Sequence, residues 1–115
     1  PRELTKQYGI VEVNGEHEKC PTIRSIVEKP DHQVAPSTMA VIGRYVLEPE
    51  IFDSLRKIDR GAGGEIQLTD AIAREIPKGK TIACKYDGER FDCGSKQGFL
   101  NATVHYARKE GYRII

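Results

Sequence analysis

The hydrophobic period of this chain changes at Pro49, and that change constrains its fold more than any other feature. Upstream, apolar residues sit in short β-branched runs of the kind that fill a pleated sheet. Tyr8-Gly9-Ile10-Val11-Glu12-Val13 is the first, and it leads into Asn14-Gly15, a signal for a two-residue hairpin turn. Thr22 to Glu28 follows as a second strand and stops at Lys29-Pro30, where proline fixes φ and removes the N–H that sheet pairing needs. After the turn formers Pro36 and Ser37, Met39 to Leu47 reads as a third, largely buried strand. Downstream, Pro49 suits a first-turn position, and Ile51, Phe52, Leu55 and Ile58 share one helical face. Gly61 to Gly64 interrupts that helix. A second begins near Leu68 to Asp70, buries Leu68, Ile72 and Ile76, and ends at Pro77. Thr81 to Tyr86 alternates as a strand, Asp87-Gly88 turns, and Arg90 to Asp92 returns as a short strand. Lys96 to about Lys109 is helical, with Phe99, Leu100, Thr103, Val104 and Ala107 along an apolar stripe. This order predicts an α/β fold in which helices flank a mixed sheet.

Composition excludes several functions. With 115 residues, the chain is one domain or a piece of one. Its 18 Lys and Arg balance 17 Asp and Glu, which argues against a nucleic-acid or membrane-surface protein. The apolar runs, such as Met39 to Gly43, fall far short of the roughly 20 residues that span a bilayer. Pro1 to Gln7 is polar and unlike a secretory leader, so a cytoplasmic location is expected. The odd cysteine count, Cys20, Cys84 and Cys93 without a CxxC pair, favours reduced thiols, with one bridge plus a free thiol as the alternative. His17, His32 and His105 do not pair with them at zinc spacing, and His105 reads as a surface residue.

Three segments could carry chemistry. In Val27-Glu28-Lys29-Pro30, adjacent strand residues point to opposite faces, so Glu28 and Lys29 are not simply one ion pair. At a strand end, Glu28 could accept hydrogen bonds from ligand hydroxyls while Lys29 supplies a point charge to a phosphate; two surface charges at a turn is the alternative. In Phe91-Asp92-Cys93-Gly94, Asp92 could ligate Mg²⁺ or could cap the helix beginning near Ser95. The loop Gly61-Ala62-Gly63-Gly64-Glu65 entering a helix matches neither the P-loop nor the dinucleotide fingerprint, and reads as a turn with Thr69 or Asp70 satisfying the helix start. Gly9, inside a strand, marks either a bulge or close approach of a ligand to backbone. No GxSxG surrounds any serine.

Taken in order, Tyr8-Gly9, Val27 to Pro30, Ala40 to Val46, the string GAGGEIQLTDAI from Gly61 to Ile72, and Phe91 to Gly94 with Lys96 and Gly98 resemble the C-terminal part of the bacterial UTP-glucose-1-phosphate uridylyltransferases. The likeness runs from about Tyr8 to Ala107. The related thymidylyltransferases share the Glu-Lys-Pro and Asp-x-Gly themes but differ in the long string. The resemblance implies the C-terminal portion of a Rossmann-like nucleotide-diphospho-sugar transferase fold, with residues 1–115 as a single α/β segment carrying the sugar-phosphate end. It implies a reaction of UTP with glucose 1-phosphate to give UDP-glucose and pyrophosphate. By position, Glu28 would hold glucose hydroxyls, Lys29 the sugar phosphate, Asp92 a Mg²⁺ ion, and Gly9 and Val41 would touch the sugar through backbone. Lys29 and Asp92 would then be the catalytic pair. The family's GxGTR nucleotide loop and second metal carboxylate are absent from these residues, so a fragment inactive by itself is expected. Exposed apolar faces and sheet edges predict a homo-oligomer. The alternatives are a non-catalytic sugar-phosphate-binding or oligomerisation module of the same fold, or a related glucose-1-phosphate thymidylyltransferase.

Overall fold

The computed structural model describes residues 1–114, which form two compact units, Pro1–Lys85 and a second that begins at Tyr86. In the first, a 3₁₀ turn at Arg2–Gln7 precedes β1 (Gly9–Asn14), β2 (Thr22–Glu28) and β3 (Met39–Ala40). Helices α1 (Ile51–Arg56) and α2 (Leu68–Glu75) follow. The strand order is β2-β1-β3 and both pairings are antiparallel. The α/β class therefore holds, with all-antiparallel pairing in the sheet of the described residues.

Alternation along β1 puts Val11 and Val13 on the face that the helices cover. Val11, Ile26, Ile51, Ala71 and Ile72 form the core, joined by Ile23, Met39, Val41, Leu55 and Leu68. Ile10, on the opposite face of β1, is also buried, so the central strand is covered on both sides. The helical stripe holds at Ile51, Leu55 and Ile58 but not at Phe52, which is 60% exposed. In α2 the buried residues are Thr69, Ala71 and Ile72, one of them polar. Ser54 Oγ donates to Glu75 Oε1, tying the two helices together. Pro77 sits inside a 3₁₀ turn at Ile76–Lys78 that closes α2, and Gly79 ends it in the left-handed region.

Three expected elements differ, each for a physical reason. Gly15 has the positive φ of a turn residue, yet the hairpin loop runs to Pro21, because Glu16-His17-Glu18-Lys19 offers no apolar alternation to start a strand. The third strand is two residues rather than nine. Running antiparallel to β1 it meets Val11, Ile10 and, through Val41 N to Gly9 O at 2.8 Å, Gly9; β1 ends there, so Ile42 to Leu47 have no ladder to join. The Thr81 to Tyr86 strand reduces to one bridge, Thr22 with Ile82, flanked by bonds from Ile23 N to Thr81 O, Ala83 N to Pro21 O and Lys85 N to Lys19 O. Pro21 cannot return a donor to that ladder.

The second unit holds α3 (Lys96–Lys109), for which Ser95 is the N-cap, its Oγ accepting from Gly98 N at 3.0 Å. Arg90 to Asp92 is not a strand. No residue of α3 is buried, and Phe99 and Leu100 are more than half exposed. His105 is less exposed than a free surface residue: its ring lies 5.0 Å from that of Phe91 and its Nδ1 3.1 Å from Glu89 Oε2.

Candidate functional site

The carboxyl end of β2 gathers residues from three elements. Register pairs Glu28 with Gly9 at the start of β1. Across the sheet end, Thr69 in the first turn of α2 donates its hydroxyl to Glu28 Oε2. Thr69 is 5% exposed and Glu28 half-buried, so the contact is a charge-assisted hydrogen bond in partly dry surroundings. Gly9 completes the group. A Cβ there would lie 3.2 Å from Glu28 Oε2 and 3.4 Å from Thr69 Cγ2, which is the physical case for glycine at this position. Val41 reaches the same place through its bond to Gly9 O, so of the backbone groups these two residues offer, that N–H and that carbonyl are committed to each other.

Lys29 adopts φ 47, a left-handed conformation for a residue with a Cβ, at a cost of about 1–2 kcal/mol. Its surroundings hold it there. Its N–H donates to Tyr8 O at 2.9 Å, Pro30 behind it is buried, and the buried Thr5 hydroxyl bonds Pro30 O at 3.2 Å. The turn breaks strand alternation directly after Glu28, and the Lys29 side chain is exposed. Tyr45 stands near the same carboxylate: burial, and then the Glu28 charge, push its phenol above the ordinary tyrosine value. A strand end with a carboxylate, a hydroxyl, a bare backbone and a neighbouring ammonium has the chemistry to receive a polyhydroxylated, anionic ligand.

The glycine-rich segment is a self-bonded turn. Gly61 N donates to Glu65 O at 2.8 Å, Gly64 N to Gly61 O at 2.9 Å, and Arg60 Nη1 to Gly64 O at 2.8 Å, while Gln67 Nε2 bonds Ala62 O at 2.7 Å. A Cβ on Gly61 would fall 2.2 Å from Asp70 Oδ2. Thr69 therefore does not cap the helix, as the sequence suggested, but spends its hydroxyl on Glu28. Glu65 is exposed and contributes its carbonyl to the turn.

Asp92 lies in the second unit. Its Oδ1 accepts from Gly94 N at 3.0 Å in an Asx turn, its Oδ2 is 3.8 Å from Arg90 Nη2, and the helix-capping role falls to Ser95. Gly98 approaches so closely that a Cβ would sit 1.8 Å from Asp92 O, which fixes the turn against α3. Among the described residues no three His, Cys, Asp or Glu side chains gather as a metal cluster. The donor chemistry of Asp92 suits Mg²⁺ in the way that ion takes one carboxylate and completes its octahedron with water and phosphate oxygens.

Comparison with known proteins finds relatives along nearly the whole chain. A family model described as nucleotidyl transferase matches residues 1–109. A UTP–glucose-1-phosphate uridylyltransferase of Komagataeibacter xylinus is 50% identical over 96 residues, covering 84% of this chain and 34% of that protein. One from Pseudomonas aeruginosa is 43% identical over 103 residues, 90% of this chain and 37% of its own length. Among solved structures, a UDP-glucose pyrophosphorylase complexed with UDP-glucose superposes with a TM-score of 0.87 at 38% identity, over 95% of this chain and 41% of that one. A UTP-bound enzyme of the same kind from Acinetobacter baumannii gives 0.73 at 41% identity, over 95% and 37%. The chain thus spans somewhat over a third of the length of the curated relatives it matches. From the family match along nearly its whole length and these relatives, the chain belongs to the nucleotidyl transferase family.

Proposed function

We propose that these residues form the sugar-phosphate end of a uridylyltransferase catalytic domain, working in a longer chain that makes UDP-glucose and pyrophosphate from UTP and glucose 1-phosphate. The observation that carries this is the meeting of Gly9, Glu28 and Thr69 beside the strained Lys29. Glu28, oriented by Thr69, accepts hydrogen bonds from glucose hydroxyls; Gly9 and Val41 line the sugar with backbone. Lys29 holds the sugar phosphate as a point charge. A phosphate oxygen of glucose 1-phosphate attacks the α-phosphorus of UTP, and the bond from that phosphorus to the bridging oxygen breaks as pyrophosphate leaves. Positioning and charge neutralisation carry such a step, with no covalent intermediate. Asp92 would hold Mg²⁺, which supplies charge neutralisation on the phosphates. The 115 residues alone are inactive on this reading, and the complete enzyme is cytoplasmic and homo-oligomeric, in keeping with solvent-exposed Val46 and Phe52.

The test is kinetic, on the longer enzyme. Asp92→Asn should lower kcat by about a hundredfold or more, and Lys29→Ala should lower kcat/KM for glucose 1-phosphate. Wild-type values for both variants would sink the assignment.

A further inference from the structure

Away from the sugar-phosphate end, two cysteines face each other across the sheet margin. The backbone bonds from Ile23 to Thr81, Ala83 to Pro21 and Lys85 to Lys19 define one antiparallel register, and it sets Cys20 directly opposite Cys84. In that register the bonded pairs are the odd-numbered residues, so Cys20 and Cys84 occupy a pair without mutual backbone bonds, the kind in which facing side chains approach most closely. Their sulfurs are 3.5 Å apart, the Cys20 thiol pointing its hydrogen at Cys84 Sγ. Both cysteines are free and exposed, and Lys19 and Lys85 flank them in sequence. The Cα separation of such a pair, about 4.5 Å, falls within the range a disulfide spans.

We propose that Cys20 and Cys84 form a reversible dithiol–disulfide site whose reactant is a low-molecular-weight disulfide. One protein thiolate attacks a sulfur of the small disulfide, forming a mixed disulfide and expelling one small thiolate. The facing protein thiolate then attacks the protein sulfur of that mixed disulfide, expelling the second small thiolate and closing the Cys20–Cys84 bond. In sum, two protein thiols and one small disulfide become one protein disulfide and two small thiols, with the electrons passing to the small molecule. The bond closes a loop spanning 64 positions that contains Glu28, Lys29, Val41 and Thr69. It pins Thr81 to Lys85, otherwise held by one bridge and the three backbone bonds beside it, onto the segment that leads into β2. Glu28 lies at the far end of β2 from this bond, so the staple acts on stability and leaves the sugar-phosphate group in place.

The test incubates the full chain with oxidised glutathione or with dithiothreitol, then alkylates and maps the thiols by mass spectrometry. The oxidised chain should lose two hydrogens and two alkylatable thiols, give a linked peptide pair containing Cys20 and Cys84, and melt about 10 °C higher. Cys20→Ser should retain a glutathione adduct on Cys84 and Cys84→Ser one on Cys20, and Cys93→Ser should close the bond as the parent does. Three alkylatable thiols after oxidation, a link to Cys93, or an unchanged melting temperature in the linked chain would overturn the proposal.

Discussion

The two units differ in what holds their functional side chains. In Pro1–Lys85, a core of Val11, Ile26, Ile51, Ala71 and Ile72 locks sheet to helices, and Glu28 is fixed by Thr69, 41 positions away in the chain. In the unit from Tyr86 onward no described residue is buried, and Asp92 is oriented by neighbours within a few residues, Gly94 and Gly98. One carboxylate is placed by tertiary structure and the other by a turn. Perturbing the core should therefore disarm Glu28 and leave the Asp92 turn intact.

The largest effect should come from Ile72→Ala, which empties a buried site and should cost about 2–5 kcal/mol by urea unfolding. Leu100→Ala on the exposed stripe of α3 should stay within about 0.5 kcal/mol, and equal losses at the two sites would break the contrast. Next, Gly98→Ala should disrupt the Asp92 turn at a cost of about 1–3 kcal/mol, because the added carbon would fall 1.8 Å from the Asp92 carbonyl oxygen and 3.0 Å from the Ser95 cap hydroxyl. Amide exchange at Gly94 and Gly98 would report it, while Glu28 and Thr69 stay unchanged. Thr69→Val keeps the shape and removes the donor to Glu28, and should cost about 1–2 kcal/mol. The smallest effect is electrostatic. Hydrogen bonds from Lys78 and then Ser54 hold the Glu75 carboxyl below its ordinary value. A folded value below the unfolded one adds stability that is present above the ordinary carboxylate range and lost as the pH falls through the folded value. Glu75→Gln should flatten that acid-side loss, and an unchanged profile would remove Glu75 from the account.

Local signals in the sequence carried far and then stopped at pairing. The strand ending at Lys29-Pro30, the Pro49 helix start and the glycine turn before α2 were all legible, because each depends on a few adjacent residues. The shortening of β3 was not, since it is set by where β1 ends at Gly9 rather than by Ile42 to Leu47 themselves. Gly9 and Glu28 were legible as candidates, but their partner was not. Thr69 read as a local helix-start residue, and nothing in its neighbourhood reveals a bond to a side chain 41 positions earlier. The hint available was the long string from Gly61 to Ile72, more specific than a mere turn requires.

In the proposed function the Gly9, Glu28 and Thr69 group reads the sugar. That role is tested most directly by Glu28→Gln in the longer enzyme, measuring KM for glucose 1-phosphate and for UTP side by side. Loss of a charged hydrogen-bond acceptor should raise the first by about ten- to a hundredfold and leave the second unchanged. Equal changes in both, or none in either, would contradict it.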